Sequence, residues 1–447
     1  MINEASKKDI AWGYLSQFLN IGAGIILIPI AIKYLSAEDM GLWYVFIALV
    51  GLAQLLEFGF QPTIARHTSY VYSGATQLCA QGIPKCSNNG LNQQLLVDLI
   101  FASKKLYRYV AYIAAFILLV FGSVYIYSLE VEGFNNYIAW FVFSTSSAIN
   151  FYFSYFNGLL QGRGQQTVLN QIIAQSKVVL LLIAIPLLIL DFGLQALAIA
   201  TFISMLVNRY LVYIQFYDKT RSETYFISNQ EKSMDVYAVI FLSSWRLGLT
   251  SLGAFLIQRG NLFIVSSFLG LKVTGSYGLT MQLLGILSAV SSIMVTLNIP
   301  KMTILQATNN RIEIKRIFYT SLTIAVLMFI LGSASLVIIG LPLINMLSKE
   351  VSLVGLGVLL LMLLFQLLEM IHSLCATYLT TLNYVPFVKA ALVSGIFIVS
   401  IGLLLANYTS YGLVALVLSQ GAIQLLFNNW YWPLQVYKNL TGPSNEL

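Results

Sequence analysis

Residues 34–66, YLSAEDMGLWYVFIALVGLAQLLEFGFQPTIAR, contain the features that decide the fold. The stretch opens with a short acidic turn. It continues through about 20 mostly apolar residues from Gly41, the length that crosses the hydrocarbon core of a bilayer. One carboxylate, Glu57, lies inside this apolar run, which ends at Pro62 and Arg66. The stretch therefore predicts a membrane span with an ionisable residue inside it, and such residues usually serve a function.

A similar stretch occurs 234 positions later, at residues 268–300, FLGLKVTGSYGLTMQLLGILSAVSSIMVTLNIP. Both stretches follow a long apolar run, open with a small turn and end at a basic loop. These matching topological positions predict two copies of one six-helix unit. The residues that recur without a gap are Leu35, Gly41, Leu49 and Gly51, matched by Leu269, Gly275, Leu283 and Gly285.

The composition is that of an integral membrane protein. The chain is 58% hydrophobic and 9% charged, whereas soluble domains contain roughly 25% charged residues. The first apolar run is long enough to span and has no small-residue cleavage site after it, so we expect a retained first helix. Cys79 and Cys86 lack the short paired spacing of a zinc site, and no metal is expected.

We predict an all-α membrane protein with twelve transmembrane helices. When both termini and the even-numbered loops are placed in the cytoplasm, 18 of the 24 Lys and Arg residues fall on that side. Only Lys33, Lys272 and Lys349 fall outside, as the positive-inside rule requires. The dispersed basic residues argue against nucleic-acid binding. The predicted spans are 10–33, 40–63, 106–128, 134–157, 172–190, 193–216, 244–267, 275–299, 317–339, 351–373, 386–406 and 411–433.

The spans divide into two bundles of six helices. The polar segment 218–235 separates an N-terminal bundle, 1–217, from a C-terminal bundle, 236–447. Since each half begins in the cytoplasm, we expect parallel repeats related by a pseudo-two-fold axis along the membrane normal, with a central cleft. Residues 68–105 form a longer cytoplasmic loop, and the leucines just before Lys104 predict a short interfacial helix there.

Three arginines fall within predicted spans. Arg259 lies deepest, and an arginine at a helix centre costs about 2.5–3.5 kcal/mol on insertion scales, so it should face a partner or a wet cavity. A structural ion pair with Glu57 or Glu369 is the alternative. Arg246 and Arg209 lie nearer the cytoplasmic ends, where either side chain can reach the headgroups instead.

Acidic residues within spans are candidates for ion coupling. Glu57 lies in the second span, and Glu369 and His372 lie three residues apart on one face of the tenth. A carboxylate with a nearby imidazole can relay protons, so either site is suited to proton or sodium entry. A helix-packing hydrogen bond is the competing explanation for the Glu369–His372 pair.

Three segments resemble the polysaccharide and O-antigen repeat-unit flippases of the multidrug/oligosaccharidyl-lipid/polysaccharide exporter superfamily. They are residues 34–66, the segment GLLQGRGQQ after the fourth span, and FLIQRGNLFIVSSFLGLKVTGSYGL around Arg259. Many relatives carry an acidic residue near this arginine, where the present chain has Gln258 and Gly260.

The resemblance implies a flippase of the bacterial plasma membrane, with no catalytic residues and no cofactor. It implies that an undecaprenyl diphosphate-linked oligosaccharide moves from the cytoplasmic to the outer leaflet, driven by a proton or sodium gradient. A polysaccharide polymerase and a chain-length regulator are the implied partners. The cations along the route would bind the diphosphate; these are Arg259, Arg246, Arg209 and Arg66.

Three other functions remain open from sequence. A multidrug exporter of the same fold should have an acid-rich cavity, whereas the deep residues here are mostly basic. A membrane polymerase or ligase should carry Arg or His in a large external loop, and the predicted external loops are short. A lipid II flippase would be expected to have a thirteenth and fourteenth span.

Overall fold

The computed structural model describes residues 22–80, 84–85, 90–224, 234–307, 310–348, 350–382 and 386–441. Nearly all of these residues are helical. The helices are α1 Gly22–Tyr34, α2 Ala37–Gln54, α3 Phe60–Tyr72, α4 Gln93–Phe116, α5 Ser123–Ser128, α6 Phe134–Phe153, α7 Tyr155–Gly162, α8 Gln166–Ile189, α9 Leu194–Thr224, α10 Met234–Phe268, α11 Leu271–Ala307, α12 Arg311–Ser335, α13 Leu341–Leu347, α14 Leu356–Thr380, α15 Val388–Tyr408, α16 Gly412–Leu426 and α17 Asn428–Thr441.

The helices have the length and surface of membrane spans. Within the described residues, ten helical stretches are long and apolar enough to cross a bilayer. Each of the twelve predicted spans coincides with one helix or with consecutive helices; the first is described only from Gly22. Large apolar side chains such as Leu182 and Leu331 are about two-thirds exposed, at 69% and 66%, which lipid tolerates and water does not. The all-α membrane fold is confirmed.

The second span is broken at Glu57. Helix α2 ends at Gln54, a 3₁₀ turn covers Leu55–Glu57, and Phe58 and Gly59 both adopt left-handed backbone conformations. Helix α3 then begins and runs to Tyr72. The prediction that the span ends at Pro62 was wrong, because a proline is tolerated in the first turn of a helix, where its missing N–H is not needed.

The long loop after α3 contains no separate surface helix in its described part. Leu95, Leu96 and Leu99 belong to the first turns of α4 and are buried. Asn92 caps this helix, because its side-chain oxygen accepts a hydrogen bond from the Leu95 amide. The predicted interfacial helix is therefore wrong: its apolar stripe is the buried start of a membrane span.

The described residues divide into two compact units. Unit 1 contains residues up to Leu35 and Phe46–Ser251, and unit 2 contains Ser36–Val45 and the residues from Leu252 onward. Helices α2 and α10 each contribute to both units. The described part of the predicted linker 218–235 is helical: residues up to Thr224 continue α9, and α10 begins at Met234. The sequence-based division there stays a prediction.

Close helix contacts in unit 1 depend on glycines in the segment GLLQGRGQQ. A Cβ on Gly158 or Gly162 would overlap the backbone of α3, at the carbonyl oxygens of Gln61 and Ala65 respectively. Small residues four positions apart let two helix backbones approach closely. Arg163 follows directly, and its side chain donates to the Tyr72 hydroxyl at 2.7 Å and, with the other end of the guanidinium, to Thr220 on α9.

Unit 2 contains a reciprocal contact between the two repeated stretches. A Cβ on Gly41 would overlap the Leu271 carbonyl oxygen, and a Cβ on Gly275 would overlap the Ala37 carbonyl oxygen. Gly275 lies 234 positions after Gly41, and Leu271 lies 234 positions after Ala37, which is the offset that the sequence repeat indicates. The equivalent residues of the two repeats thus pack against one another, as a two-fold relation requires.

Candidate functional site

Arg209 on α9 is buried, at 9% exposure. Its Nε donates to Asn150 Oδ1 at 2.8 Å, and Nη1 donates to Asn157 Oδ1 at 3.1 Å and to the Phe153 carbonyl at 3.5 Å. Its Nη2 donates to Ser154 Oγ at 3.4 Å. These acceptors surround the junction of α6 and α7, so the guanidinium holds that junction together. Its donors are already used within the protein.

Glu57 lies close to this arginine in unit 1. The two charges interact electrostatically, and the Tyr107 hydroxyl lies in the field of both. No described residue forms a hydrogen bond or a close ion pair with the Glu57 carboxylate. The break after Glu57 is packed tightly, because Gly248 on α10 leaves room only for the Phe58 ring. Unit 1 therefore contains a carboxylate at a helix break, and this carboxylate has no hydrogen-bond donor among the described residues.

The structure gives fewer contacts for the two remaining arginine candidates. Arg66 lies on α3 with its side chain exposed. Arg246 lies on α10, but its side chain is outside the described residues, as is Cys86. Binding of substrate by Arg66 or Arg246 stays a prediction.

Arg259 is a cation within a predicted span of unit 2. It lies on α10, is partly buried, and has no hydrogen bond or ion pair to any described residue. The phenol groups of Tyr44 and Tyr277 lie within its electrostatic reach. Tyr44 is itself fixed, since its hydroxyl donates to Gln282 Oε1 at 2.6 Å. The guanidinium therefore has aromatic neighbours and free donors inside a membrane span.

Glu369 and His372 meet on α14, as their spacing predicts. Glu369 Oε1 lies 3.4 Å from His372 Nδ1, while the buried Glu369 Oε2 has no partner among the described residues. The carboxylate borders a cavity of about 50 Å³, room for a few waters. Polar side chains from four elements line it; they are Tyr277, Gln366, Glu369, Gln420, Gln424 and Asn429.

Several of these residues were not identified from sequence. The cavity amides are neutral and scattered over different spans, and Gln424 and Asn429 each have one buried atom without a partner in the described part of the chain. Asn150 and Asn157, which bind Arg209, are more than 50 positions away from it in the chain. The signal that was available is the presence of amide side chains within apolar runs, which lipid disfavours unless the amides are satisfied.

Comparison with known proteins identifies the family. The sequence pattern described as "Polysaccharide biosynthesis protein" matches residues 6–306. The chain belongs to the polysaccharide biosynthesis protein family. No protein of curated function matches this family member at significant sequence similarity.

Solved structures share the fold of this polysaccharide biosynthesis protein. An inward-facing multidrug resistance MATE family transporter of the MOP superfamily is similar with a TM-score of 0.69 and 14% identity, covering 98% of this chain and 100% of the other. The lipid II flippase MurJ, in an inward closed conformation, has a TM-score of 0.65 and 11% identity, and the match covers 96% of this chain and 87% of MurJ. The MATE multidrug transporter DinF-BH has a TM-score of 0.60 and 13% identity, and the match covers 97% of this chain and 94% of the other. The predicted fold class is thus confirmed.

Proposed function

We propose that this chain is a flippase that moves undecaprenyl diphosphate-linked O-antigen or other polysaccharide repeat units from the cytoplasmic to the outer leaflet. The observation that carries this proposal is Arg259 within α10, which has no partner among the described residues. An arginine in a span costs free energy unless it meets an anion or water. A diphosphate headgroup is the anion that a polysaccharide pathway brings into the membrane.

The chemistry of a guanidinium fits this ligand. Its planar array of N–H donors binds phosphate oxygens in pairs, and it stays charged at every physiological pH. The phenol groups of Tyr44 and Tyr277 lie within the electrostatic reach of Arg259, although both side chains are buried. Arg246 and Arg66 are proposed contacts at other points of the route, whereas Arg209 is proposed mainly to hold its unit together.

Ion coupling is proposed at the two carboxylate sites. Glu57 makes no hydrogen bond to any described residue, Glu369 Oε2 is likewise without a partner there, and His372 lies beside the second carboxylate. A proton or sodium ion entering either site from the electrochemical gradient would bias alternating access in one direction. The proposed protein is a transporter and not an enzyme, and it uses no cofactor.

The proposed location is the bacterial plasma membrane, with both termini in the cytoplasm. The excess of Lys and Arg in the loops assigned to that side supports this orientation. A polysaccharide polymerase and a chain-length regulator, which act on the flipped units, are the proposed partners.

The test is deletion and complementation in the native host. The proposal predicts that lipid-linked repeat units accumulate inside while surface polysaccharide disappears, and that the wild-type gene restores export. Unchanged surface polysaccharide with raised sensitivity to cationic drugs would show a multidrug exporter instead. Surface units that are exported but remain unpolymerised would show a polymerase or ligase.

A further inference from the structure

Unit 1 contains buried polar side chains that the described part of the protein leaves without hydrogen bonds. Among these atoms are Thr63 Oγ1, both ring nitrogens of His67, Ser103 Oγ and the Tyr107 hydroxyl. Each of these four side chains is at most 1% exposed. A buried polar group without a partner costs about 1–3 kcal/mol, and folded proteins satisfy nearly all such groups with protein atoms or with ordered water. Ordered water is therefore the partner that these atoms call for.

The spacing of these residues places them in two short rows. Thr63 and His67 are four residues apart on α3, and Ser103 and Tyr107 are four residues apart on α4, so each pair shares a helix face about 6 Å long. The two helices pack against each other. The first pair lies off the α3 face that packs against the α7 glycines, which is formed by Gln61, Ile64, Ala65 and Thr68.

One end of these rows reaches the carboxylate of Glu57. Tyr107 interacts electrostatically with Glu57 and with Arg209, and Glu57 lacks a hydrogen-bond partner among the described residues. The other end points towards Tyr72, where α3 stops, and Gln93, where α4 starts. These are the helix ends that the loop charges assign to the cytoplasm.

We propose that Glu57 exchanges protons with the cytoplasm through waters held by Tyr107, Ser103, Thr63 and His67. The inference rests on the proposed ion coupling at Glu57 and deepens it by naming the ion and its path. Hydroxyl groups and a neutral imidazole each donate and accept hydrogen bonds, so a proton can pass along them without leaving a net charge. The net change is that a carboxylate and one proton become a carboxylic acid.

The charged groups that act on the residues of the path are arginines, apart from Glu57 itself. Arg66 acts on His67, and Arg209 acts on Tyr107 and on Glu57. Helix α7 adds the neutral Tyr155 near Tyr107, and its Arg163 is bonded to Tyr72 and Thr220. On α4, Lys105 and Arg108 are exposed and Lys104 is half-buried. A sodium ion is less suited to the path, because it needs several converging oxygen ligands and does not bind imidazole well.

The path is tested by measuring the protonation rate of Glu57. The purified full chain in nanodiscs is subjected to a pH jump, and the carboxylic-acid C=O band is followed by time-resolved infrared spectroscopy. The band is assigned to Glu57 by its loss in Glu57→Gln. We expect Tyr107→Phe and His67→Leu each to slow the rise of the band by about tenfold or more, since relay groups contribute factors of this order.

Thr68→Val is the matched control. Thr68 is as buried as His67 and adjacent to it, but its hydroxyl already donates to the Ile64 carbonyl at 2.7 Å. We expect this variant to keep the wild-type rate. Tyr107→Phe removes only a hydroxyl that no described residue binds, so folding is retained even if His67→Leu is unstable.

Three results would overturn the path. They are equal rates in the wild type, Tyr107→Phe and His67→Leu; an equal slowing in Thr68→Val; and the absence of any pH-dependent Glu57 band. The measurement uses no lipid-linked sugar, so it is independent of the complementation test. A failed flippase proposal and a failed proton path are therefore distinguishable.

Discussion

The two arginines Arg209 and Arg259, both within predicted membrane spans, differ in the contacts that they make. Arg209 in unit 1 donates to four acceptors, three side-chain oxygens and one carbonyl. Arg259 in unit 2 donates to none of the described residues. The contacts of Arg209 thus offset the free energy of placing a guanidinium in the membrane, whereas Arg259 has no such contact with a described residue. The position of an arginine within a span does not reveal this difference, whereas the count of its acceptors does.

The sharpest test of this comparison is Arg259→Gln. We expect surface polysaccharide to fall by more than about tenfold, because the main cation for the diphosphate is lost, each charge-assisted contact being worth about 1.5–3 kcal/mol. The amount of protein in the membrane should not change, since no hydrogen bond or ion pair with a described residue is broken. Arg259→Lys should keep part of the export. Normal export in the Gln variant would remove Arg259 from the binding site.

Arg209→Leu should show the opposite pattern. Removing this guanidinium leaves the acceptors Asn150, Ser154 and Asn157 without donors in a dry environment, so we expect about 3 kcal/mol less stability. The measurement is thermal unfolding in detergent together with the protein level in membranes. Arg209→Lys should lie between the two, because an ammonium lacks the planar fork. A Leu variant that is as stable as the wild type but inactive in export would show that Arg209 binds substrate.

Gly162→Ala tests whether close backbone packing stabilises unit 1 as the arginine does. The added Cβ would overlap the Ala65 carbonyl and Thr68 on α3, and overpacking of this kind costs about 1–3 kcal/mol. Gly285→Ala is the control, because it is helical and has no atom within 4 Å of the added Cβ. We expect a lower unfolding temperature for the first variant only. A fall of the same size in Gly285→Ala would show that helix flexibility, and not the α3–α7 contact, is being measured.

The smallest expected effect is that of Tyr44→Phe beside Arg259. Losing the hydroxyl leaves Gln282 Oε1 without its donor, a change worth about 1 kcal/mol. Because the buried ring still packs against Gly278, export should be reduced only slightly. Tyr44→Ala should reduce it further, and equal export in the Phe and Ala variants would contradict a role for the ring.

The sequence predicts the membrane spans well, because each depends on a local property. A run of apolar residues with basic residues at one end is sufficient to place a helix across the bilayer. The break at Glu57 was harder to predict: Gly59 is compatible with a left-handed conformation, but Phe58 adopts one as well and gives no such signal.

The candidate site was predictable only in its charged members. Arg209, Arg259, Glu57 and Glu369 stand out because charges are rare in spans. Whether such a charged side chain has hydrogen-bond partners depends on neutral residues of other helices, such as Asn150 for Arg209. Residue spacing contains no information about those contacts. The lack of hydrogen-bond partners for Thr63 and His67 among the described residues is likewise seen only in the three-dimensional structure.

The contact between Gly41 and Gly275 bears on the origin of the chain. Each glycine leaves room for a backbone carbonyl one helical turn before the other glycine. The contact is therefore self-complementary, like the interface of a symmetric homodimer. A half-length chain with one such glycine would present the same self-complementary surface to a second copy of itself. Duplication and fusion of its gene would then preserve the interface while freeing each copy to diverge.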